Sequence, residues 1–246
     1  MILDDNSSFT FLKSLLLNIP EVYLTCNFQD YDEIPNSETF LYPTIIVVDK
    51  SSPLTKNINS KKIIYYDISE LEIKTSIDKS RWVKSILLSH LGCICKNIIY
   101  HDFNIQIKSS FSSIMVDGLN IRKHPTSRDL KTEIYNCSLS GKLSLIDHLK
   151  SKNLNQTLEV YECNIIGLKG CVDLCNNFRL WYNMFLMGIK RDQFYFTQSF
   201  HCEKINIIDI GDIRSALNNY VKYIPHDTKL SLKKLIYRKI FKIILK

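Results

Sequence analysis

The chain has 246 residues, 45% hydrophobic and 23% charged, a globular composition that excludes wholesale disorder and a fibrous repeat. No run approaches 18 uninterrupted apolar residues, so no transmembrane helix is expected, and Asp4 and Asp5 ahead of the short Phe11–Leu17 run carry the wrong charge for a signal peptide. The wrong charge for a signal peptide leads to the expectation of a cytoplasmic chain. The net charge of +7 sits in Lys229–Lys246, which hold seven basic residues and no acid; positions 1–228 balance at 25 basic and 25 acidic, which argues against nucleic acid as a partner.

Short apolar runs come first. Glu21–Cys26, Thr44–Asp49 and Lys62–Tyr66 read as strands, and their continuous rather than alternating apolar character suits a parallel sheet covered on both faces. Asp78–Leu91 reads as a helix closed by Gly92. Asn97–Tyr100 is a buried strand that runs into the polar turn His101–Asn104, followed by Ile105–Ile107. Helical spacing dominates from Arg128 to about Asn164, with Leu130, Ile134 and Cys137 on one stripe and Leu154, Leu158 and Tyr161 on another. Phe178–Met187 and Arg191–Phe200 are aromatic-rich helices, and Ile205–Ile210 returns as a strand. The expectation is one α/β domain over 1–228, followed by a helix over 229–246. Projected at 100° per residue, that helix gathers Lys234, Arg238, Lys239, Lys242 and Lys246 on one side and Leu232, Ile236, Ile240, Ile243 and Ile244 on the other. Such a helix either packs its apolar face on the domain or lies on an anionic membrane surface.

Eight cysteines occur without a C-x-x-C pair, and Cys93-x-Cys95 and Cys171-x-x-x-Cys175 lack the companion histidines of zinc sites; reduced, mostly buried thiols are expected. The seven glycines form neither a dinucleotide-binding fingerprint nor a P-loop. Three groups carry candidate chemistry. Asp102 and Asn104, two residues apart just past a strand, can place two oxygens on one divalent ion. Arg122, Lys123, His124 and Arg128 make a phosphate-binding edge or a solvated surface, followed by Asp129 and Glu133 as an acid pair or a partner for Arg128. Arg191-Asp192-Gln193, set within aromatic sequence, is either an ion-pair knot or the wall of a cleft.

In order along about 25–200, these segments resemble the TOD/MUCI-type glycosyltransferase-like family. Thr25–Ile34 is similar to its opening strand and G-x-Y-D turn, with Cys26 and Gln29 in place of glycines. Arg81–His90 is similar to its R-x-x-K…P-H helix, Ile99–Ile105 to W-I-D-G-N-I with Phe103 in place of glycine, and His124–Tyr135 to H-P-x-R-x-x-x-Y-x-E. Trp181–Phe196 resembles the W-w-x-E…S-x-R-D-Q-l-S-F segment, with Met184 in place of the Glu and Tyr195 in place of a Ser. The resemblance implies a GT-A-like domain, a mostly parallel sheet flanked by helices, that moves a sugar from a nucleotide-diphospho-sugar to a glycan or lipid-linked acceptor. By position it implies Asp102 and Asn104 on Mn2+ or Mg2+ or on the donor ribose. His124, Arg128 and Arg191 would meet the donor diphosphate, and Asp192 with Gln193 would orient the acceptor hydroxyl. The basic tail would hold the protein against the inner face of a membrane. A glycosyltransferase-fold binding protein without catalysis is the alternative.

Overall fold

The computed structural model describes residues 7–36, 38, 40–225 and 232–245. Asp4, Asp5, Lys229 and Lys246 lie outside the described residues, as do the side chains of Leu232, Lys233 and Lys234. The architecture is α/β. Strands β1 (Val22–Cys26), β2 (Thr44–Val48), β3 (Ile63–Asp67) and β4 (Asn97–His101) run parallel in the spatial order 3-2-1-4. β7 (Tyr161–Lys169) is antiparallel beside β4, and β6 (Gly118–Lys123) and β8 (Ile205–Ile207) complete a seven-stranded sheet. β5 (Ile105–Ile107) pairs instead with β9 (Val221–Tyr223) in a separate ribbon.

Every residue of β1, β2 and β4 is buried, which is why their sequences are mostly apolar without alternation, with Thr25, Thr44, Asn97 and His101 the buried exceptions. Alternate side chains go to different cores. Val22 and Leu24 join the layer formed by α1 (Ser7–Leu16), α6 (Cys175–Met187) and α7 (Asp192–Ser199), whereas Tyr23 packs with Phe111, Met115 and Ile213 beneath the β5–β9 ribbon. Each such fully buried aliphatic side chain contributes roughly 1.5–3 kcal/mol. The helices thus lie on one face, and the ribbon with its connecting segments covers the other.

The expected helix over 78–91 is α2 (Ser76–Trp82) continuing through a π-helical turn (Val83–Leu87) into α3 (Leu88–Gly92). Thr75 caps it by accepting from the Asp78 N–H at 3.0 Å. The helical pattern expected through Asn164 is corrected. It ends in α4 (Leu130–Leu139) and α5 (Leu145–Ser151), and Tyr161 already belongs to β7. Residues 156–160 leave the helical path through a turn at 156–157 and a lone bridge from Glu159 to Asp129, and their carbonyls serve the entrance to α4 and the end of β6: Leu130 N–H donates to Leu158 at 2.9 Å, Lys131 N–H to Gln156 at 3.0 Å and His124 N–H to Val160 at 3.1 Å. The 4,3 spacing of Leu154, Leu158 and Tyr161 imitates a helix by coincidence; the Leu130, Ile134 and Cys137 stripe is real and buried.

Helix α8 (Leu232–Ile244) packs against α4. Its anchor is Phe241, fully buried, with its ring 5.1 Å from that of His148 on α5. Ile236, Ile243 and Ile244 stay exposed, so the isoleucine face is not what seats the helix. Among the described residues no helix is long and apolar enough to cross a membrane.

Candidate functional site

The winding of the sheet reverses at β1: β2 and β3 are added outward on one side of it, and β4, parallel to them, falls on the other. In open α/β sheets the crevice outside the carboxyl ends of strands at such a point is where ligands bind. Two hollows open there. One, of about 480 Å3, is lined by Cys26–Gln29, Tyr31 and Asp32 after β1, by Ser76, Ile77 and Ser80 of α2, and by Tyr100 and Phe103 around the end of β4. The other, of about 590 Å3, runs over β7 toward α4 and the start of α7. They share Arg81, Asp102 and Asn104.

The loop after β1 is fixed by its own polar groups. Gln29 and Asp30 adopt the left-handed conformation, with φ of 63° and 48°. The Asp30 carboxylate accepts from the N–H groups of Leu54 at 3.1 Å and Thr55 at 2.9 Å, and those bonds offset the strain of placing Gln29 where glycine is favoured. Asn27 adds bonds to Thr55 Oγ1 and the Asp32 carbonyl at 3.1 and 3.2 Å.

At the junction of the hollows lies an ion-pair knot. Lys84 and Arg81, one turn apart on the same helical face, point from α2 and its π turn into the site. Lys84 Nζ is 3.0 Å from Asp102 Oδ1 and 3.1 Å from Asp192 Oδ2, and Arg81 Nη2 is 3.4 Å from the same Asp192 oxygen. Lys84 is only 1% exposed, yet although burial works to discharge its ammonium, Asp102 and Asp192 hold its pKa above the ordinary lysine value. Burial likewise works to protonate Asp192, but Arg81, Lys84 and Arg191 outweigh it and hold the carboxyl well below its usual range. Asp192 is fixed further as the first residue of α7, its carbonyl accepting from Trp181 Nε1 at 2.9 Å.

A second knot surrounds Glu133 on α4. It accepts from Ser127 Oγ at 2.5 Å and Cys137 Sγ at 3.0 Å, and pairs with Arg191 Nη2 at 3.2 Å and His124 Nε2 at 3.5 Å. Arg191 also donates to Gln193 Oε1 at 2.7 Å. Burial alone would raise the Glu133 pKa; these partners keep it lowered. The wall of the larger hollow carries five Lys or Arg side chains against four carboxylates, an excess that favours an anionic ligand. Three buried polar atoms of that wall, Arg81 Nε, Arg191 Nε and Asn164 Oδ1, lack a protein partner.

Asp102, Asn104, His124, Arg191, Asp192 and Gln193 are thus brought together. Arg128 is not: it is exposed and lines neither hollow, because the bend after His124 turns it outward. Glu133 pairs with Arg191 and His124 rather than Arg128, and Asp129 is the cap of α4, accepting from the Thr132 N–H at 2.8 Å, not half of an acid pair. Lys84 and Arg81 are the residues the sequence reading left without a role; two cations at i, i+3, the second set between Trp82-Val83 and Ile86–Leu88, were the available signal.

Asp102 and Asn104 form a limited donor set for a divalent ion. Asp102 Oδ1 is already bound by Lys84 and by the Tyr100 hydroxyl at 2.9 Å, and Asn104 Nδ2 is spent on the Ile224 carbonyl at 3.0 Å. One carboxylate and one amide oxygen fit an ion delivered on a diphosphate, which supplies most of its own shell, rather than a resident one.

No protein-family model matches the chain, and no curated protein matches it in sequence.

Proposed function

We propose that the chain is a GT-A-like glycosyltransferase that passes a sugar from a nucleotide-diphospho-sugar to a glycan or lipid-linked acceptor. The observation that carries this reading is the meeting of two hollows at Arg81, Asp102 and Asn104, at the carboxyl ends of β1 and β4. A two-substrate transfer needs a donor and an acceptor compartment that touch at the reacting bond.

The smaller hollow, walled by Phe28, Tyr31 and the Asn27–Asp32 loop, suits a nucleoside. Its diphosphate then reaches the junction, where Arg81 and Lys84 meet the negative charge that grows as the bond from the sugar's anomeric carbon to the diphosphate breaks. Mn2+ or Mg2+ entering with the donor would use Asp102 and Asn104 and add Lewis-acid neutralisation of that same charge. In the larger hollow, Asp192 is held ionised and accepts a hydrogen bond from the acceptor hydroxyl, aligning its oxygen for attack. Its low pKa makes it an orienting group more than a proton sink, so the hydroxyl proton leaves on the departing nucleoside diphosphate. Arg191 holds Gln193 and Glu133 along the same wall.

The scaffold alternative has one observation behind it: both Asp102 and Asp192 are already paired with Lys84. Calorimetric titration with a panel of nucleoside diphosphates and nucleotide-sugars, with and without Mn2+, tests the proposal. Binding by the native chain that falls at least tenfold in Asp102→Ala and Arg81→Met, with slow release of free nucleoside diphosphate from the donor, supports it. Binding without any release favours the scaffold, and no binding by any donor rejects both. The basic face of α8 with exposed Ile236, Ile243 and Ile244 would seat the protein on an anionic bilayer, the place of a lipid-linked acceptor.

A further inference from the structure

At the amino ends of β4 and α6, across the sheet from the hollows, three ligand-bearing side chains converge. Cys93 follows α3, Cys175 opens α6 and Asp173 lies two residues before it, and one ligand atom from each falls within 4.8 Å of the others. Among the described residues no other group of three His, Cys, Asp or Glu side chains meets that spacing. We propose that Cys93, Cys175 and Asp173 form a site for a thiophilic divalent metal, zinc above all, with water as the fourth ligand.

The distance between the sulfurs carries the argument. Cys93 Sγ and Cys175 Sγ are 3.8 Å apart. Two thiolates at about 2.3 Å from a tetrahedral zinc stand about 3.8 Å from each other, whereas a disulfide brings the sulfurs to about 2.05 Å. Two sulfurs in the set disfavour Mg2+ and Ca2+, which take oxygen ligands, and the Asp carboxylate completes a mixed set that zinc accepts. Cys93 and Asp173 are exposed, so a metal and its water have access. Asp173 Oδ1 already accepts from the Cys175 N–H at 3.2 Å, which orients the carboxylate toward the thiols.

The site's position gives it a structural consequence. It ties the α3–β4 connection to the β7–α6 connection, where Gly170 N–H donates to the Lys96 carbonyl at 2.8 Å and Asn97 pairs with Lys169. No linear motif announces it, because the two sulfur-bearing segments are 82 residues apart. The metal pins the start of α6, the helix that leads through Gly188 to α7 and Asp192.

Cobalt titration of the full, reduced, metal-stripped chain tests this. One equivalent of Co2+ should be taken up with thiolate-to-cobalt charge-transfer absorption, be displaced by Zn2+, and Zn2+ should raise the melting temperature. Cys93→Ser and Cys175→Ser should weaken uptake at least a hundredfold and Asp173→Asn about tenfold, while Cys202→Ser, at an exposed thiol elsewhere, should leave it unchanged. Absence of saturable uptake by the native chain, absorption persisting in Cys93→Ser, or a Cys93–Cys175 disulfide recovered in place of bound metal would overturn the proposal.

Discussion

Asp102 and Asp192 share a single ammonium: Lys84 Nζ lies 3.0 Å from one carboxylate and 3.1 Å from the other. The first aspartate ends a strand, the second begins a helix 108 residues beyond Lys84, and the lysine comes from the π turn that widens the helix between them. One buried cation therefore holds the two carboxylates together where the hollows meet.

Replacing Lys84 by Met should expose that dependence. Breaking a buried ion pair costs about 3–5 kcal/mol. The low end applies because Asp102 is half exposed and Arg81 remains 3.4 Å from Asp192. About 3 kcal/mol corresponds to a fall of about 6–12 °C in melting temperature for a chain of this size. Lys84→Arg, which keeps the charge, should recover most of it. A Lys84→Met protein melting within 2 °C of the native one would show that the knot contributes nothing to stability.

Stability should fall in acid in two windows. His101 is buried and burial lowers its pKa to about 4, so between about pH 6.5 and 4 the unfolded chain binds a proton that the folded chain refuses. Stability is present above that window and declines through it by on the order of 3 kcal/mol. Asp192 titrates in the folded state below its unfolded value, so its contribution is complete above about pH 4 and is lost below. Urea unfolding from pH 3 to 7 separates the two. His101→Gln should flatten mainly the upper window, in which His124 and His148, also shifted down by burial, take a smaller part, and Asp192→Asn should flatten only the lower one. An unchanged upper slope in His101→Gln would assign it to another group.

Much of this was legible in the sequence. β1, β2 and β4 were readable because burial on both faces favours apolar residues without alternation, and the acidic turn at Asp102 followed from where β4 had to stop. β7 was not, because Glu162, Asn164 and Gly167 interrupt its apolar run: Glu162 is neutralised by Arg122 and Asn164 faces the larger hollow. Those polar residues, set in a central strand, hid its period. The role of Lys84 was hidden for a different reason. Its two partners come from distant segments, and no local spacing encodes a three-residue contact of that kind. Phe241 was likewise invisible in the projection of the tail, which sorted lysines from isoleucines while the seat of the helix is one aromatic ring at their boundary.

Gly188 should be intolerant of a side chain. A Cβ there would meet the Tyr195 hydroxyl oxygen at 1.9 Å and the Met184 carbonyl at 2.8 Å. Tyr195 has no freedom to retreat cheaply, because its hydroxyl accepts from the Ile189 N–H at 2.7 Å and fixes the turn that presents Arg191 and Asp192. Gly188→Ala should cost about 1–3 kcal/mol by overpacking and weaken donor and acceptor binding together. Tyr195→Ala in the same chain should recover only part, since the Met184 carbonyl is backbone and stays. Full tolerance of Gly188→Ala would show that the α6–α7 turn does not set the site.

The tail makes the last prediction. α8 is seated by Phe241 but leaves Ile243 77% and Ile244 58% exposed, and an isoleucine held in water on a helix this basic gains on entering the acyl boundary of an anionic bilayer. Ile243→Asn with Ile244→Asn should therefore lower the melting temperature by no more than about 2–4 °C, since each surface substitution seldom costs more than about 0.5 kcal/mol. The same pair should abolish co-sedimentation with phosphatidylserine-containing vesicles. Phe241→Ala should do the reverse: the helix comes off α4 and becomes sensitive to protease, while its membrane-binding face is intact. Raising the salt should weaken vesicle binding by the native chain, because the lysines act within a Debye length of the surface. Equal sedimentation of the native and doubly substituted chains would leave the exposed isoleucines with no part in a membrane contact.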